Sequence, residues 1–193
     1  MNFLAHFYLA RSDKGLIVGN LLANYALGKK YLDYPENIQK GILLHRKIDS
    51  FTDTHPEMHK TKLRLREKYR KYAPVISDVY YDYFLGRNWN DYSDVSLKSF
   101  TQEIYNTLHE HHTILPPRAQ ITLEYMARQD WLFHYSTYYG IEKALQGLSR
   151  RARFENNMEL AIGDLKSNEK NIEKEFRPFF QSLQEFVQEE INK

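Results

Sequence analysis

Gly41-Ile42-Leu43-Leu44-His45-Arg46-Lys47-Ile48-Asp49-Ser50-Phe51-Thr52-Asp53 carries a helical period and no strand period. At about 100° per residue, Leu44, Ile48 and Phe51 share one apolar stripe, and His45, Asp49 and Thr52 share the next. Arg46, Lys47 and Ser50 point the other way, as an exposed face should. The imidazole and the carboxylate are therefore one turn apart and hemmed in by apolar residues. A partly buried carboxylate is costly unless a metal ion, a cation or a strong hydrogen bond meets it. From this stretch alone, Asp49 either contributes to a site or simply orients His45 within a helix interface.

The helical pattern continues outward in both directions. Upstream, residues 2–10 form a short helix with His6 among Phe3, Leu4, Phe7 and Tyr8. Residues 16–27 form a second, closed by Gly28, with Asn20 and Asn24 one turn apart among leucines and alanines. Pro35 suits the first turn of the central helix. Downstream, helices are expected over about 56–71, 75–87, 96–112, 117–133 and 140–151, then one or two from about 155 to 191, where Pro178 is a potential break. The 75–87 segment is apolar nearly all round, the mark of a buried helix. Yet it carries Asp78 and Asp82 one turn apart. With no β-period and no repeat, the expectation is a single all-α, HD-like domain spanning 1–193.

Composition narrows the chemistry. The 193 residues are 42% hydrophobic and 27% charged, as in a globular protein. A net charge of only +2 gives no ground to expect nucleic-acid binding. With no cysteine, thiolate catalysis, disulfides and cysteine-ligated metals are excluded, and a reducing, cytoplasmic setting is expected. No apolar run approaches a membrane span, and the first residues lack the basic start of a secretory signal. No glycine-rich phosphate loop or serine nucleophile elbow occurs.

Nitrogen and oxygen ligands on separate helices remain: His6, Asn24, His45, Asp49, Asp78 and Asp82, with Asp53 a further candidate. Such a set suits Mn²⁺, Fe²⁺, Mg²⁺ or Zn²⁺, and an ion of that kind favours phosphoester hydrolysis by activating water and polarising a phosphoryl oxygen. His134 or His55 could protonate a leaving oxygen. His109-Glu110-His111-His112 looks metal-like by composition, but a helix splits these rings between faces, so a solvated helix end is expected.

Between Lys60 and Lys71 seven cations face one acid, Glu67. Lys60, Arg64, Lys68 and Lys71 fall on one face. A solvated face usually mixes signs, so this stripe is expected to dock an acidic or phosphate-bearing partner. Arg150, Arg151 and Arg153 form a smaller second cluster.

Met1-Asn2-Phe3-Leu4-Ala5-His6, Gly19-Asn20-Leu21-Leu22-Ala23, His45-Arg46-Lys47-Ile48-Asp49-Ser50-Phe51-Thr52-Asp53 and Asp78-Val79-Tyr80-Tyr81-Asp82-Tyr83-Phe84-Leu85 occur in that order. Together with the Trp131 region and the aromatic tail, they resemble the acyl carrier protein phosphodiesterases. The resemblance implies a metal-dependent enzyme, distantly HD-like, that removes 4′-phosphopantetheine from holo acyl carrier protein with Mn²⁺ or a similar ion. On that reading His45 and Asp49 are catalytic with His134, and the acidic carrier protein is the partner. The family pattern has an aspartate where this chain has Asn24. That departure keeps open a catalytically weakened carrier-binding module, beside an HD-type hydrolase of a nucleotide or small phosphoester.

Overall fold

The computed structural model describes residues 1–193 and is all-helical. Nine longer helices and one single turn follow in order: α1 Phe3–Ala10, α2 Lys14–Leu22, α3 Glu36–Thr54, α4 Pro56–Tyr69, α5 Ala73–Arg87, α6 Leu97–Glu110, α7 Pro117–Arg128, the turn α8 Trp131–His134, α9 Tyr138–Arg151 and α10 Ala161–Ile191.

Local chemistry sets many of the ends. Asp13 caps α2 by accepting from the Leu16 N–H, and Ser96 and Thr137 cap α6 and α9 in the same way. Pro56 forces His55 into extended backbone, which ends α3 and lets α4 begin at once. His55 Nδ1 then accepts from the Glu57 N–H, so this ring caps the start of α4.

α5 runs through the centre, with Ile76, Val79, Tyr80, Tyr81, Phe84 and Leu85 all buried. α10 lies against α3, α4, α5 and α9 through Phe176, Phe179, Phe180, Leu183 and Val187, and continues unbroken through Pro178. α2 and α3 form the closest helix pair. A Cβ on Gly19 would stand 2.4 Å from the Ile38 carbonyl oxygen, and one on Gly41 would stand 2.7 Å from that of Leu16. Only glycine at these crossings lets the two backbones touch. This contact brings Asn20 of α2 up to the face of α3 that carries His45 and Asp49.

Three boundaries differ from expectation. α2 stops at Leu22, because Arg46 of α3 donates to the carbonyls of Ala26 and Gly28 and holds 23–28 as a turn. The helix expected over 117–133 breaks at Asp130, which sits in left-handed backbone with φ +48°. The last helix begins at Ala161 and not near 155.

Candidate metal centre

A pocket of about 250 Å³ opens where α1, α3 and α5 meet, lined among others by Met1, His6, His45, Asp49 and Asp78. Each of the three helices brings one part of it. α1 delivers His6, buried at 3% exposure. α3 delivers His45 and Asp49, whose one-turn spacing survives as a 3.2 Å contact from His45 Nε2 to Asp49 Oδ2. The two imidazoles stack with centroids 3.8 Å apart. His6, His45 and Asp49 are placed so that one atom of each could ligate a common metal ion.

The proton on His6 can be assigned from its neighbours. Asn20 is buried, and its amide nitrogen donates to the carbonyls of Leu16 at 2.9 Å and Gly41 at 3.4 Å. Its oxygen therefore faces His6 Nδ1 at 3.1 Å, and Nδ1 must be the donor. Burial, helped by His45, pushes the His6 pKa down to about 3, so the ring is neutral at physiological pH. Nε2 is then a bare lone pair, and it faces Asp49 Oδ1 at 3.1 Å. Two acceptors at that distance repel unless a cation lies between them. The spacing also fits: neighbouring ligands on an ion with bonds of about 2.1 Å are separated by roughly 3.0–3.4 Å. Oxygen and imidazole donors without sulfur match the harder divalent ions.

The remaining charges are arranged around this gap. Asp49 is held well below the usual carboxylate range; burial opposes its ionisation, but the hydrogen bond from His45 Nε2 and the Met1 ammonium outweigh burial. The Met1 ammonium lies 3.2 Å from Asp78 and 3.6 Å from Asp49. Burial works against its charge, yet Asp78, Asp49 and Asp82 hold its pKa above the ordinary value. Asp78, on the pocket wall, is raised by burial, with the Met1 ammonium opposing. His45 Nδ1 is buried without a hydrogen-bond partner.

The other expected residues divide. Asn24 is exposed at the pocket rim, its amide turned toward the Leu21 carbonyl at 3.4 Å. Asp53 also lines the rim and is paired with Lys62 at 2.8 Å. Asp82 is corrected. Its two oxygens accept from the Leu4 N–H at 2.7 Å and the Ala5 N–H at 3.2 Å, capping α1, which has no side-chain cap of its own. The carboxyl is fully buried, and burial pushes its pKa up to about 7. His134 lies outside the pocket, in an adjoining groove. His111 Nδ1 is spent on the Thr107 carbonyl, and His109 is near Glu124, as a solvated helix end predicts.

The cations of the basic stripe have partners within the fold. Lys60 pairs with Glu57, Lys68 with Asp164, and Arg64 forms a two-pronged pair with Glu175. Glu175 also accepts from Thr61 at 2.6 Å. Lys71 lies over the Phe154 ring, 3.3 Å from its centroid. Most of this charge is answered within the fold. Asn20, and not only Asn24, matters to the site, because it sets the His6 tautomer; its sequence signal is an amide facing the core between glycine and leucine.

A family profile described as acyl carrier protein phosphodiesterase matches residues 1–183. Proteins named acyl carrier protein phosphodiesterase are similar over most of their length. That of Yersinia enterocolitica is 31% identical over 190 residues, 98% of each chain. That of Serratia proteamaculans is 30% identical over 184 residues, 95% of each. That of Enterobacter sp. strain 638 is 36% identical over 157 residues, covering 80% of this chain and 81% of its own. No solved structure matches. With a full-length match and the quoted motifs gathered at one pocket, the chain belongs to the acyl carrier protein phosphodiesterase family.

Proposed function

We propose that this protein hydrolyses the phosphodiester joining 4′-phosphopantetheine to a serine of holo acyl carrier protein, at a divalent-metal site built on His6, His45 and Asp49. The observation that carries the reading is the bare Nε2 of His6 held 3.1 Å from an Asp49 carboxylate oxygen, an arrangement that calls for a cation. Family membership supplies the substrate. Mn²⁺ is the proposed ion, with Mg²⁺ and Fe²⁺ sharing its donor chemistry. When bound, such an ion supplies positive charge for a phosphoryl oxygen and lowers the pKa of water.

The chain's own groups do the rest. Asn20 fixes the tautomer and plane of His6, as outer partners of metal-bound histidines do. Asp78 lines the pocket wall and holds the Met1 ammonium beside Asp49. In the balance, water gives its hydroxyl to phosphorus and releases one proton to solvent, the bond from phosphorus to the serine oxygen breaks, and that oxygen takes a proton. His134, on the groove that adjoins the pocket, is the proposed donor of that proton. Asn24 lies at the rim and leaves the three-residue cluster intact, which favours an enzyme over a weakened binding module. No helix is long and apolar enough to cross a membrane; the absence of cysteine and the proposed substrate favour the cytoplasm.

The test is mass spectrometry of holo carrier protein incubated with the protein and Mn²⁺. Conversion to the apo form, abolished by chelator and by Asp49→Asn, is expected. Unchanged holo protein with every divalent ion tried would refute the assignment.

A further inference from the structure

Beside the metal pocket lies a second concavity, a groove of about 670 Å³ between α7–α8 and α9. Asn2 and Phe3 line both, so the start of α1 is the only ridge between them. Trp131 and Tyr139 are among its lining residues, and Arg128, Lys143, Arg150 and Arg151 are its cations. None of these four forms an ion pair. Arg128 rests over Tyr125 and Lys143 over Tyr139, and Arg150 and Arg151 are exposed. The acid in the groove, Asp130, is already held by Lys98.

Across the protein, α4 presents more cations but answers most of them internally, through Glu57, Asp53, Glu175 and Asp164. The net charge is only +2. Arg66, Arg70 and Lys71 are also without an acid partner, in a cavity that meets the metal pocket at Pro74, but only the α7–α9 groove sets four unpaired cations around a tryptophan and a tyrosine. Cations around an aromatic surface suit an acidic protein partner: the charges steer encounter, and tryptophan and arginine anchor contact.

We propose that this groove, and not the α4 stripe, is the docking surface for the acidic face of the carrier protein, whose modified serine then reaches across Asn2 and Phe3 to the metal pocket. The proposal rests on the function proposed above. It places the leaving serine on the side where His134 stands.

The chain has two tryptophans, and Trp89 is buried at 3% exposure, so a fluorescence change on titration reports mainly on Trp131. The probe is apo carrier protein, which lacks the arm, added to the full chain in EDTA. The groove reversal Arg150→Glu with Arg151→Glu should raise Kd about 10-fold or more and flatten its salt dependence. Arg128→Glu with Lys143→Glu provides a second reversal should the first fail to fold. The α4 reversal Lys60→Glu with Lys68→Glu should bind nearly as wild type does. For turnover, KM should rise more for holo carrier protein than for a short phosphopantetheinyl phosphoserine diester.

Unchanged binding by both groove reversals, or greater weakening by the α4 reversal, overturns the proposal. Equal loss on the protein and the short diester also overturns it, because the groove then holds the arm. If wild type removes the arm while the groove reversals bind normally, docking alone is refuted. If wild type neither binds apo nor converts holo carrier protein, the function falls and docking falls with it.

Discussion

Asn20 and Asn24 stand one turn apart in sequence, and the fold gives them different work. Asn20 is buried and orients His6; Asn24 lies exposed beyond the end of α2, at the rim. Asn20→Ala should lower divalent-metal affinity by about 10–100-fold, since the His6 tautomer is no longer fixed, and should cost about 1–3 kcal/mol of stability through a buried donor left unpaired. Isothermal titration with Mn²⁺ and chemical denaturation check the two effects separately. Asn24→Asp should raise metal affinity, because a carboxylate offers the ion a full charge where the amide offers a dipole; coincident titration curves would place residue 24 out of the ion's reach. His45 and Asp49 were legible because a one-turn polar pair in an apolar setting shows in the sequence. The role of Asn20 was not, because it depends on which carbonyls its amide meets across a helix crossing.

Among the elements, α1 and α5 show how the two carboxylates of one acidic pair divide. A buried acidic pair signals only that its charges must be met, and a metal is one of several ways to meet them. Asp78 faces the pocket and the Met1 ammonium, while Asp82, one turn on, meets the bare N–H groups that begin α1. α1 has no cap of its own, but the capping partner is 78 residues away and invisible to local pattern. Asp82→Ala should destabilise the fold by about 1–3 kcal/mol, leaving two helix N–H groups unpaired. Asp82→Asn, which keeps one acceptor, should lose less. Neither should abolish metal binding in the folded fraction; loss of binding by folded Asp82→Asn would return this residue to the ligand set. The helices themselves were legible from their apolar period, whereas the end of α2 was not, since it goes with a turn whose Ala26 and Gly28 carbonyls are held by Arg46 of α3.

For the molecule as a whole, stability against pH follows from His6. Its folded pKa lies near 3, against an unfolded value near 6.5. As pH falls below about 6.5 the unfolded chain takes up a proton that the folded ring refuses, so stability is lost progressively down to about pH 3. Asp49, held low, adds to this loss once pH falls below its unfolded value. Asp82, pushed up to about 7, works the other way, gaining stability for the folded state as pH falls from there, and it is present in both proteins compared. Urea denaturation in EDTA should therefore show wild type losing stability between pH 6.5 and 4 more steeply than His6→Gln, by an amount on the order of a few kcal/mol. Parallel pH profiles would mean that His6 protonates freely in the folded state.

The claim on which the account stands is that His6, His45 and Asp49 hold one divalent ion. A crystal structure grown with Mn²⁺, with anomalous data collected at the manganese edge, tests it directly. The account predicts a peak within about 2.0–2.3 Å of His6 Nε2, a His45 nitrogen and an Asp49 oxygen, with Asp82 still bonded to the Leu4 and Ala5 N–H groups. A peak elsewhere, or His6 Nε2 still in contact with Asp49 and no ion between them in saturating Mn²⁺, would contradict it.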